Sequence, residues 1–296
     1  MNNKTILIVG GTGLIGRALN KFLSEKGHNV LVLTRSPKLK NDVFWNPELK
    51  KIDITRLHDV QVIINLIGEG IAEKKWTVKR KQALIDSRVC PTRFLAEKTL
   101  EMSHLNFYIG ASGINCYGFD RKDKLEESSP FGTDYLSTMV KEWESASDLF
   151  LPRCAVVKLR IAPVLTQDGG MIKKLMPLLF IRCVPVFGTG KQLLSWIHLD
   201  DLCELIAFCL DKRLEGVFNA VAANDTTLSF AKSFLNAQNK WGVIIKIPSW
   251  ILSLVFGEMA QLLLRGIFVS NKKIKAQGFI FKYNTIEIAT QHLHSM

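Results

Sequence analysis

The chain has 296 residues, 47% hydrophobic and 22% charged, with a formal net charge of +12 at pH 7. This composition excludes a disordered or low-complexity protein and supplies enough apolar side chains for one large or two unequal domains. The positive charge raises nucleic acid and anionic lipid as partners. A positive field also attracts phosphorylated small molecules, however, so we expect a small-molecule ligand and no nucleic acid.

The amino-terminal segment lacks the layout of a signal peptide, because its apolar run is short and leads directly into glycines. The six cysteines form no CxxC pair and no zinc-type spacing with histidine. We therefore expect reduced thiols, a cytoplasmic location and no metal site. Residues 247–269 are strongly apolar but interrupted by charges and glycines, which predicts two short helices rather than a membrane span. An apolar lid or a homodimer surface is the alternative for this stretch.

Residues 4–37 predict a βαβ unit. An apolar run over residues 6–9 is too short for a helix and indicates a strand buried on both faces. The turn that follows contains Gly10, Gly13 and Gly16, and an amphipathic helical pattern and a second apolar strand come next. This order is the context that a dinucleotide-binding fingerprint requires.

The three glycines have separate predicted roles. Gly10 permits the tight turn, Gly13 lets the backbone approach a diphosphate, and Gly16 lets the helix pack close to the sheet. Amide groups at the helix start would hold the phosphates. A glycine turn without a ligand is the alternative.

The end of the second strand indicates which dinucleotide is bound. Sites for NAD usually have Asp or Glu there to bind the ribose 2′-hydroxyl, whereas this chain has Thr34 and Arg35. An acid would repel a 2′-phosphate, and a guanidinium suits one. We therefore predict NADP(H), with an ordinary surface arginine as the alternative.

Further strands and helices alternate along the chain. Strands are predicted over residues 60–68, 107–111, 155–161 and 217–221, and helices over residues 76–101, 135–149 and 169–180, the first of these broken near Pro91. Residues 38–58 are predicted to be irregular, with a loop at Trp45 and Pro47 and room for one short strand, and residues 184–190 are predicted to be rich in turns. Asp200 or Asp201 is predicted to cap the next helix, and helices and loops are expected beyond residue 221. Repeated β-then-α order predicts an α/β fold with a doubly wound parallel sheet and a smaller lobe.

Sequence motifs spanning nearly the whole chain match a known superfamily. They are GGTGLIGRAL, LTRSP, INLIGEGIAEKKWT, SRVCPTR, GASGINCYG, KEWESA, LRIAPVLTQDGG, SWIHLDDL, VFNAVAA and GEMAQLLLRG. The chain resembles the extended short-chain dehydrogenases/reductases, and within them the atypical epimerase-like group called the NAD-dependent epimerase/dehydratase family. The resemblance implies a Rossmann-type domain over residues 1–167 and 190–225. It also implies a smaller C-terminal substrate lobe from residues 168–189 and 226–296.

The resemblance also implies positions for an NADP(H) cofactor. It places the diphosphate beside Gly10, Thr12, Gly13, Leu14, Ile15 and Gly16, and the adenosine phosphate beside Thr34 and Arg35. The length of the cofactor would pass Leu66, Ile67 and Gly68, and the nicotinamide would lie near Val164. Arg88 takes the place of an asparagine in ordinary relatives, within reach of a cofactor phosphate or a substrate anion.

The catalytic pattern of the superfamily is incomplete in this chain. Ordinary members use a serine with a tyrosine and a lysine four residues apart, which lie on one face of a helix. Ser112 matches the serine, but Tyr135 is followed four residues later by Met139. Tyr117 is a candidate proton donor, with simple packing in the cleft wall as the alternative.

His198, in SWIHLDDL, is a second candidate acid or base because histidine titrates near neutrality. A buried histidine bonded to backbone is the alternative. We therefore predict an NADP(H)-dependent oxidoreductase or epimerase-like enzyme acting on a small polar or sugar-like substrate. Two alternatives remain: a non-catalytic NADP(H) redox sensor, and a partner-binding role through the apolar or basic surfaces.

Overall fold

The fold was analysed in a computed structural model that describes residues 3–100, 102–119, 121–181, 183–237 and 242–295. Its strands are β1 (Thr5–Val9), β2 (Asn29–Thr34), β3 (Asp42–Asn46), β4 (Lys51–Ile52), β5 (Val62–Asn65), β6 (Phe107–Gly113), β7 (Lys124–Leu125), β8 (Ala155–Ile161), β9 (Val164–Leu165), β10 (Cys183–Phe187), β11 (Leu193–His198), β12 (Gly216–Ala220), β13 (Ala223–Thr226), β14 (Val243–Ile247) and β15 (Phe268–Val269). Its helices are α1 (Leu14–Glu25), α2 (Val78–Lys98), α3 (Tyr135–Ser147), α4 (Gly170–Phe180), α5 (Leu199–Lys212), α6 (Thr227–Ala237), α7 (Ser249–Phe256), α8 (Gln261–Leu264), α9 (Lys272–Ala276) and α10 (Ile286–Ser295).

A large sheet forms the centre of the fold, with the strand order β12-β8-β6-β5-β1-β2-β3-β4. Every neighbouring pair is parallel except β3 and β4. The order reverses direction at β1, as expected for a doubly wound sheet with helices on both faces. The predicted α/β fold with a Rossmann-like parallel sheet is confirmed.

Both faces of the sheet are buried. In β1, Ile6 and Ile8 point into a core that also contains Leu19 of α1, whereas Leu7 and Val9 point into a second core with α2. These four apolar side chains of β1 have no exposed surface. This two-sided burial explains why the strand is a continuous apolar run rather than an alternating one.

Three short sheets lie outside the central one: β13-β11-β9, β10-β14 and β15-β7. Several of these strands were not expected from the sequence. Residues 184–190 were predicted to be rich in turns, but most of them belong to β10, which pairs in parallel with β14, some 60 residues later. The chain beyond residue 221, predicted to contain helices and loops, also contains β13, β14 and β15. In the central sheet, the segment 38–58 contains two strands, β3 and β4, where one short strand was expected. Pairing with distant strands, rather than local pattern, stabilises these segments.

Helix α2 is continuous through Pro91, so the predicted break is wrong. Pro91 cannot donate a backbone hydrogen bond, but it is buried with Phe94 and Leu95 on the face that packs inward. The apolar stretch 247–269 contains α7 and α8, the two short helices predicted there. None of the described helices is long and apolar enough to cross a membrane. All six cysteines are free thiols.

Candidate nucleotide-binding and active site

The glycine turn after β1 brings three backbone segments into direct contact. Gly10 has a φ of +80°, and a Cβ there would lie 2.9 Å from the carbonyl oxygen of Leu66. A Cβ on Gly16 would lie 2.3 Å from the carbonyl oxygen of Gly10. Only glycine permits both approaches. The tight turn and close helix packing expected of Gly10 and Gly16 are present, and the contact of Gly13 with a diphosphate stays a prediction.

The start of α1 suits an anion. Gly13 is its N-cap residue, no side chain caps the helix, and the first turn contains no acidic residue. Thr12 and Gly13 are exposed, while Leu14 and Ile15 are half-buried. Free amides and the positive end of the helix dipole therefore face solvent at the carboxyl edge of the sheet.

At the end of β2, Thr34 and Arg35 lie beside this turn in the next strand of the sheet. The Oγ1 atom of Thr34 accepts a hydrogen bond from the amide of Ser36 at 3.2 Å. The side chain of Arg35 is 70% exposed, and its nearest carboxylate, that of Glu48, is 3.9 Å away. A bound phosphate would be a stronger partner for this guanidinium than so long and exposed an ion pair.

Leu66, Ile67 and Gly68 follow β5 and run past the glycine turn. Asn65 fixes their path: its Oδ1 atom accepts from the amide of Ile67 at 3.2 Å. The Nδ2 atom of the same side chain donates to Thr92 at 2.9 Å and to the hydroxyl of Tyr108 at 3.0 Å. Because these hydrogen bonds are all made within the protein, they hold the segment in place before any ligand binds.

Arg88 of α2 packs on Gly68. A Cβ on Gly68 would lie 2.9 Å from Cζ of Arg88, so the missing side chain makes room for the guanidinium. Nη1 of Arg88 donates to the carbonyl of Leu84 at 2.9 Å, and Nη2 donates to the carbonyl of Glu69 at 2.7 Å. These bonds hold the guanidinium against the backbone that follows β5.

The charge of Arg88 is buried without a salt bridge to any described residue. Arg88 is only 7% exposed, its Nε atom has no hydrogen-bond partner, and its Cζ atom lies 5.1 Å from the ring centre of Trp143. Burial lowers the pKa of Arg88 to about 10, and nearby Tyr135 and Glu69 partly oppose this effect. A buried cation with an unused donor fits an anionic group of a ligand.

Val164 lies in β9, next to Ile197 of β11 in the parallel register. A few residues later, a Cβ on Gly169 would lie 2.8 Å from the side chain of Leu14. The segment that follows β8 therefore passes the start of α1. The structure thus brings the glycine turn, the segment 66–68, Arg88 and the chain beyond Val164 to one edge of the sheet.

Ser112 is the penultimate residue of β6 and lies beside Arg160 of β8, its register partner. The hydroxyl of Ser112 donates to Oε1 of Glu144 in α3 at 2.6 Å. Glu144 also binds Arg160 through two hydrogen bonds, of 2.8 Å from Nε and 3.1 Å from Nη2. All three side chains are buried, so Ser112 belongs to a fixed polar cluster.

Tyr117 lies at the other end of this cluster and has no exposed surface. Its hydroxyl donates to Oδ1 of Asn219 at 2.7 Å and accepts from Nη1 of Arg160 at 3.1 Å. Burial raises the pKa of Tyr117, and the positive charge of Arg160 partly opposes this rise. This geometry favours the packing alternative over the predicted role of Tyr117 as a proton donor.

Tyr135 begins α3, and its hydroxyl donates to the carbonyl of Lys81 at 2.8 Å. Met139, in the place of the usual lysine, lies 3.9 Å from the same hydroxyl. Lys141 is exposed on the other side of the helix. Lys141 therefore does not pair with the phenol of Tyr135, and the ammonium group near this ring is that of Lys81, whose Nζ atom lies 5.1 Å from the ring centre.

His198 is 1% exposed and is itself the N-cap of α5: its Nδ1 atom accepts from the amide of Asp200 at 3.1 Å. The prediction that Asp200 or Asp201 caps this helix is therefore wrong. The imidazole of His198 lies 3.9 Å from the ring of Tyr283, and Nε2 is 3.3 Å from Nδ1 of His292. Burial lowers the pKa of His198 to about 4. These contacts favour the predicted alternative, a buried histidine bonded to backbone.

Ligand atoms of His198, Asp200 and His292 lie within 4.8 Å of one another, a spacing that metal ions require. The helix cap opposes such a use of His198, however. Because Nδ1 accepts an amide hydrogen bond, the neutral ring carries its proton on Nε2 and offers no second lone pair.

Comparison with known proteins agrees with this geometry. Residues 6–220 match the model of the NAD dependent epimerase/dehydratase family. The chain belongs to this family. Residues 247–293 also match a domain of unknown function, DUF1731. A relative in Mycobacterium bovis, epimerase family protein Mb2239, is 33% identical over 97% of this chain and 96% of its own length. The mouse epimerase family protein SDR39U1 is 30% identical over 96% of this chain and 97% of its own.

Two solved structures of family members share the fold closely. Human SDR39U1, crystallised with NADPH, superimposes with a TM-score of 0.87 at 26% identity over 98% of this chain and 99% of its own. A nucleoside-diphosphate sugar epimerase from Corynebacterium glutamicum gives a TM-score of 0.81 at 28% identity over 98% of this chain and 58% of its own. Family membership thus supports the binding of a nicotinamide cofactor.

Sequence reasoning missed Glu144 and Arg160, which contact Ser112 and Tyr117. A signal was present for Arg160, which is a charged residue in the mostly apolar strand VVKLRI, but not for Glu144, which belongs to the polar run KEWESA. A buried charge requires a partner of opposite sign. The sequence did not say that the two charges meet, because α3 and β8 are brought together only by the fold.

Proposed function

We propose that the protein binds NADP(H) along this edge and is an oxidoreductase or epimerase-like enzyme for a small polar or sugar-like substrate. The main observation in support of this proposal is that the start of α1 has no side-chain cap and lies beside Arg35, and that no carboxylate follows the end of β2. This arrangement offers amides to a diphosphate and a guanidinium to a 2′-phosphate. The cofactor part of the proposal is supported by the human relative, which was crystallised with NADPH. The substrate part is supported by the Corynebacterium relative, which is named as a nucleoside-diphosphate sugar epimerase.

The residues present fit the cofactor. The diphosphate would lie on the turn from Gly10 to Gly16, and the adenosine phosphate on Thr34 and Arg35. The segment 66–68 and Val164 would flank the remainder, and Arg88 would neutralise a phosphate or a substrate anion. When bound, the nicotinamide supplies or accepts a hydride. The side chains of the protein then orient the cofactor and the substrate, and exclude water from the edge of the sheet.

Calorimetric titration of the full chain with NADPH and NADH tests the cofactor. We expect NADPH to bind, and Arg35→Ala to weaken it about tenfold or more, since bonds to a charged group contribute about 1.5–3 kcal/mol. The affinity for NADH should change little. Arg93→Ala, which removes another exposed arginine from α2, is the matched control. Absence of NADPH binding, or NADH binding as tight as NADPH, contradicts the proposal.

Turnover is tested separately with a panel of sugar nucleotides. Loss of NADPH absorbance reports net reduction, and product analysis by NMR reports epimerisation without net redox change. Conversion of at least one panel member supports an enzyme. Tight cofactor binding with neither signal on any member contradicts it.

The second candidate is a non-catalytic protein that binds NADP(H) and responds to its redox state. It is favoured by the hydroxyls of Tyr117 and Tyr135 and the ring of His198, which all donate to or accept from the protein's own groups. Hydrogen exchange in the presence of NADPH and of NADP⁺ would reveal a redox-dependent change. Identical exchange in the two states contradicts the sensor.

A further inference from the structure

The cluster around Ser112 determines what this hydroxyl offers to a ligand. A serine hydroxyl has one proton to donate and two lone pairs that accept. The proton of Ser112 points at Oε1 of Glu144, 2.6 Å away. Ser112 lies near the carboxyl end of β6 and is 4% exposed. Because its proton is engaged by Glu144, the group that Oγ can offer to a ligand is a lone pair.

Glu144 is held in one orientation. Nε of Arg160 bonds Oε1 at 2.8 Å, and Nη2 bonds Oε2 at 3.1 Å, which forms a bidentate ion pair. The remaining donor, Nη1, bonds the carbonyl of Glu127 and the hydroxyl of Tyr117, both at 3.1 Å. The guanidinium also contacts two aromatic rings, with Cζ 5.1 Å from the ring centre of Tyr117 and 5.0 Å from that of Phe131.

A carboxylate fixed in this way accepts a hydrogen bond more strongly than a neutral carbonyl does. The hydroxyl proton of Ser112 therefore stays on Oγ and remains directed at Glu144 when a neutral ligand binds. We propose that Glu144, held by Arg160, is a positioning residue that makes Ser112 a hydrogen-bond acceptor toward the substrate. The substrate group recognised at Ser112 is then a donor, the hydroxyl of an alcohol, rather than the carbonyl of a ketone.

This inference rests on the proposed function and specifies its substrate class. The site favours the alcohol form of a substrate together with the oxidised cofactor. Glu144 orients the hydroxyl proton of Ser112 and does not receive it.

Neutron crystallography of the deuterated protein tests the orientation of Ser112 directly. We expect deuterium on Oγ along the line to Oε1 of Glu144, with and without NADP⁺ in the crystal. Deuterium directed away from Glu144, or spread over several positions, overturns the inference. This readout does not depend on cofactor binding or on turnover.

Recognition of an alcohol is tested by ligand-observed NMR with cyclohexanol and cyclohexanone, two probes of the same ring size, in the presence of NADP⁺. We expect wild-type protein to prefer cyclohexanol about fivefold, the factor for one hydrogen bond of about 1 kcal/mol. Glu144→Asp keeps the charge beside Arg160 but withdraws it from Ser112, so the preference should disappear. Glu142→Asp, at an exposed position of the same helix, should retain it.

Ser112→Ala provides a second variant that leaves the Glu144–Arg160 pair in place, and it should also lose the preference. A merely structural cluster would change melting temperature without changing the ratio of the two probes. NADP⁺ titration of the same samples separates the two hypotheses. Without NADP⁺ binding the proposed function fails, whereas NADP⁺ binding with no preference for the alcohol overturns the inference alone.

Discussion

The Cα of Gly16 lies against the carbonyl oxygen of Gly10, so closely that a Cβ on Gly16 would be 2.3 Å from that oxygen and 2.6 Å from Cα of Gly11. Both neighbours are backbone atoms, which cannot rotate aside as a flexible side chain can. The contact joins the first turn of α1 to the end of β1. It therefore sets the position of every amide that faces the proposed diphosphate.

Replacing Gly16 with alanine should separate α1 from the glycine turn. We expect a lower melting temperature and a loss of NADPH affinity of about tenfold or more, because the backbone must move both in the first turn of α1 and in the glycine turn after β1. Thermal unfolding and calorimetry measure the two effects. Gly113→Ala is the control, since the nearest atoms to its Cβ would be 3.9 Å away. Equal behaviour of the two variants would contradict this account of the turn.

Gly68 and Arg88 should be energetically coupled. On the proposed function, Arg88→Ala removes a cation from the ligand, and Gly68→Ala displaces the same guanidinium. Each change should weaken NADPH binding, and the double variant should bind about as weakly as Arg88→Ala alone. The expected coupling is about 0.5–3 kcal/mol, the range for residues in contact.

The control for this cycle is Gly70→Ala, where the Cβ would meet the flexible side chain of Glu73 rather than Arg88. That substitution should leave NADPH affinity nearly unchanged. Strictly additive losses for Gly68 and Arg88 would show that the guanidinium does not act through this contact.

Stability should fall in mild acid because of His198. Burial lowers the pKa of this ring from 6.5 to about 4 in the folded protein, with His292 and Lys282 acting in the same direction and Asp200 opposing them. The unfolded chain therefore binds more protons between these pH values. The contribution of the neutral, buried ring to the free energy of unfolding is therefore fully present above about pH 6.5. It is lost as the pH falls toward 4, which lowers the free energy of unfolding by up to about 3 kcal/mol.

Urea unfolding at about pH 7.5 and pH 5 measures this effect. His198→Asn keeps a side-chain oxygen that can cap α5 but removes the titrating ring. The variant should be less stable at pH 7.5, since it loses the contact with Tyr283, yet its stability should change less between the two pH values. The contribution of His28, whose pKa burial also lowers, is common to both proteins. An unchanged pH dependence in the variant would exclude His198 as the cause.

Tyr135 should be structural. Its hydroxyl bonds the carbonyl of Lys81, and no lysine follows four residues later. Tyr135→Phe should lower the free energy of unfolding by about 1 kcal/mol, the net value of one hydrogen bond. NADPH affinity, and turnover of any substrate found in the panel, should be retained. A loss of turnover of a hundredfold or more with a normal fold would instead identify the phenol as an acid or base.

Much of the cofactor half of the molecule was predictable. The apolar run before Gly10, the glycine spacing and the helical stripe after Gly16 are local patterns, and the fold confirms the strand, turn and helix that they indicate. Arg35 could be identified for the same reason, because the local sequence of β2 predicts where that strand ends. The segment 184–190 was not, because β10 owes its structure to β14, from a distant part of the chain.

The amino-acid sequence by itself determined the βαβ unit, the family and the edge of the sheet where a nucleotide would bind, because each depends on residues close together in the chain. Only the tertiary structure decided the surroundings of Ser112, Tyr117 and His198. Their partners, Glu144, Asn219 and His292, come from helices and strands whose contacts arise only when the core is buried. A buried polar group takes the partner that packing supplies, and the sequence does not state which one that is.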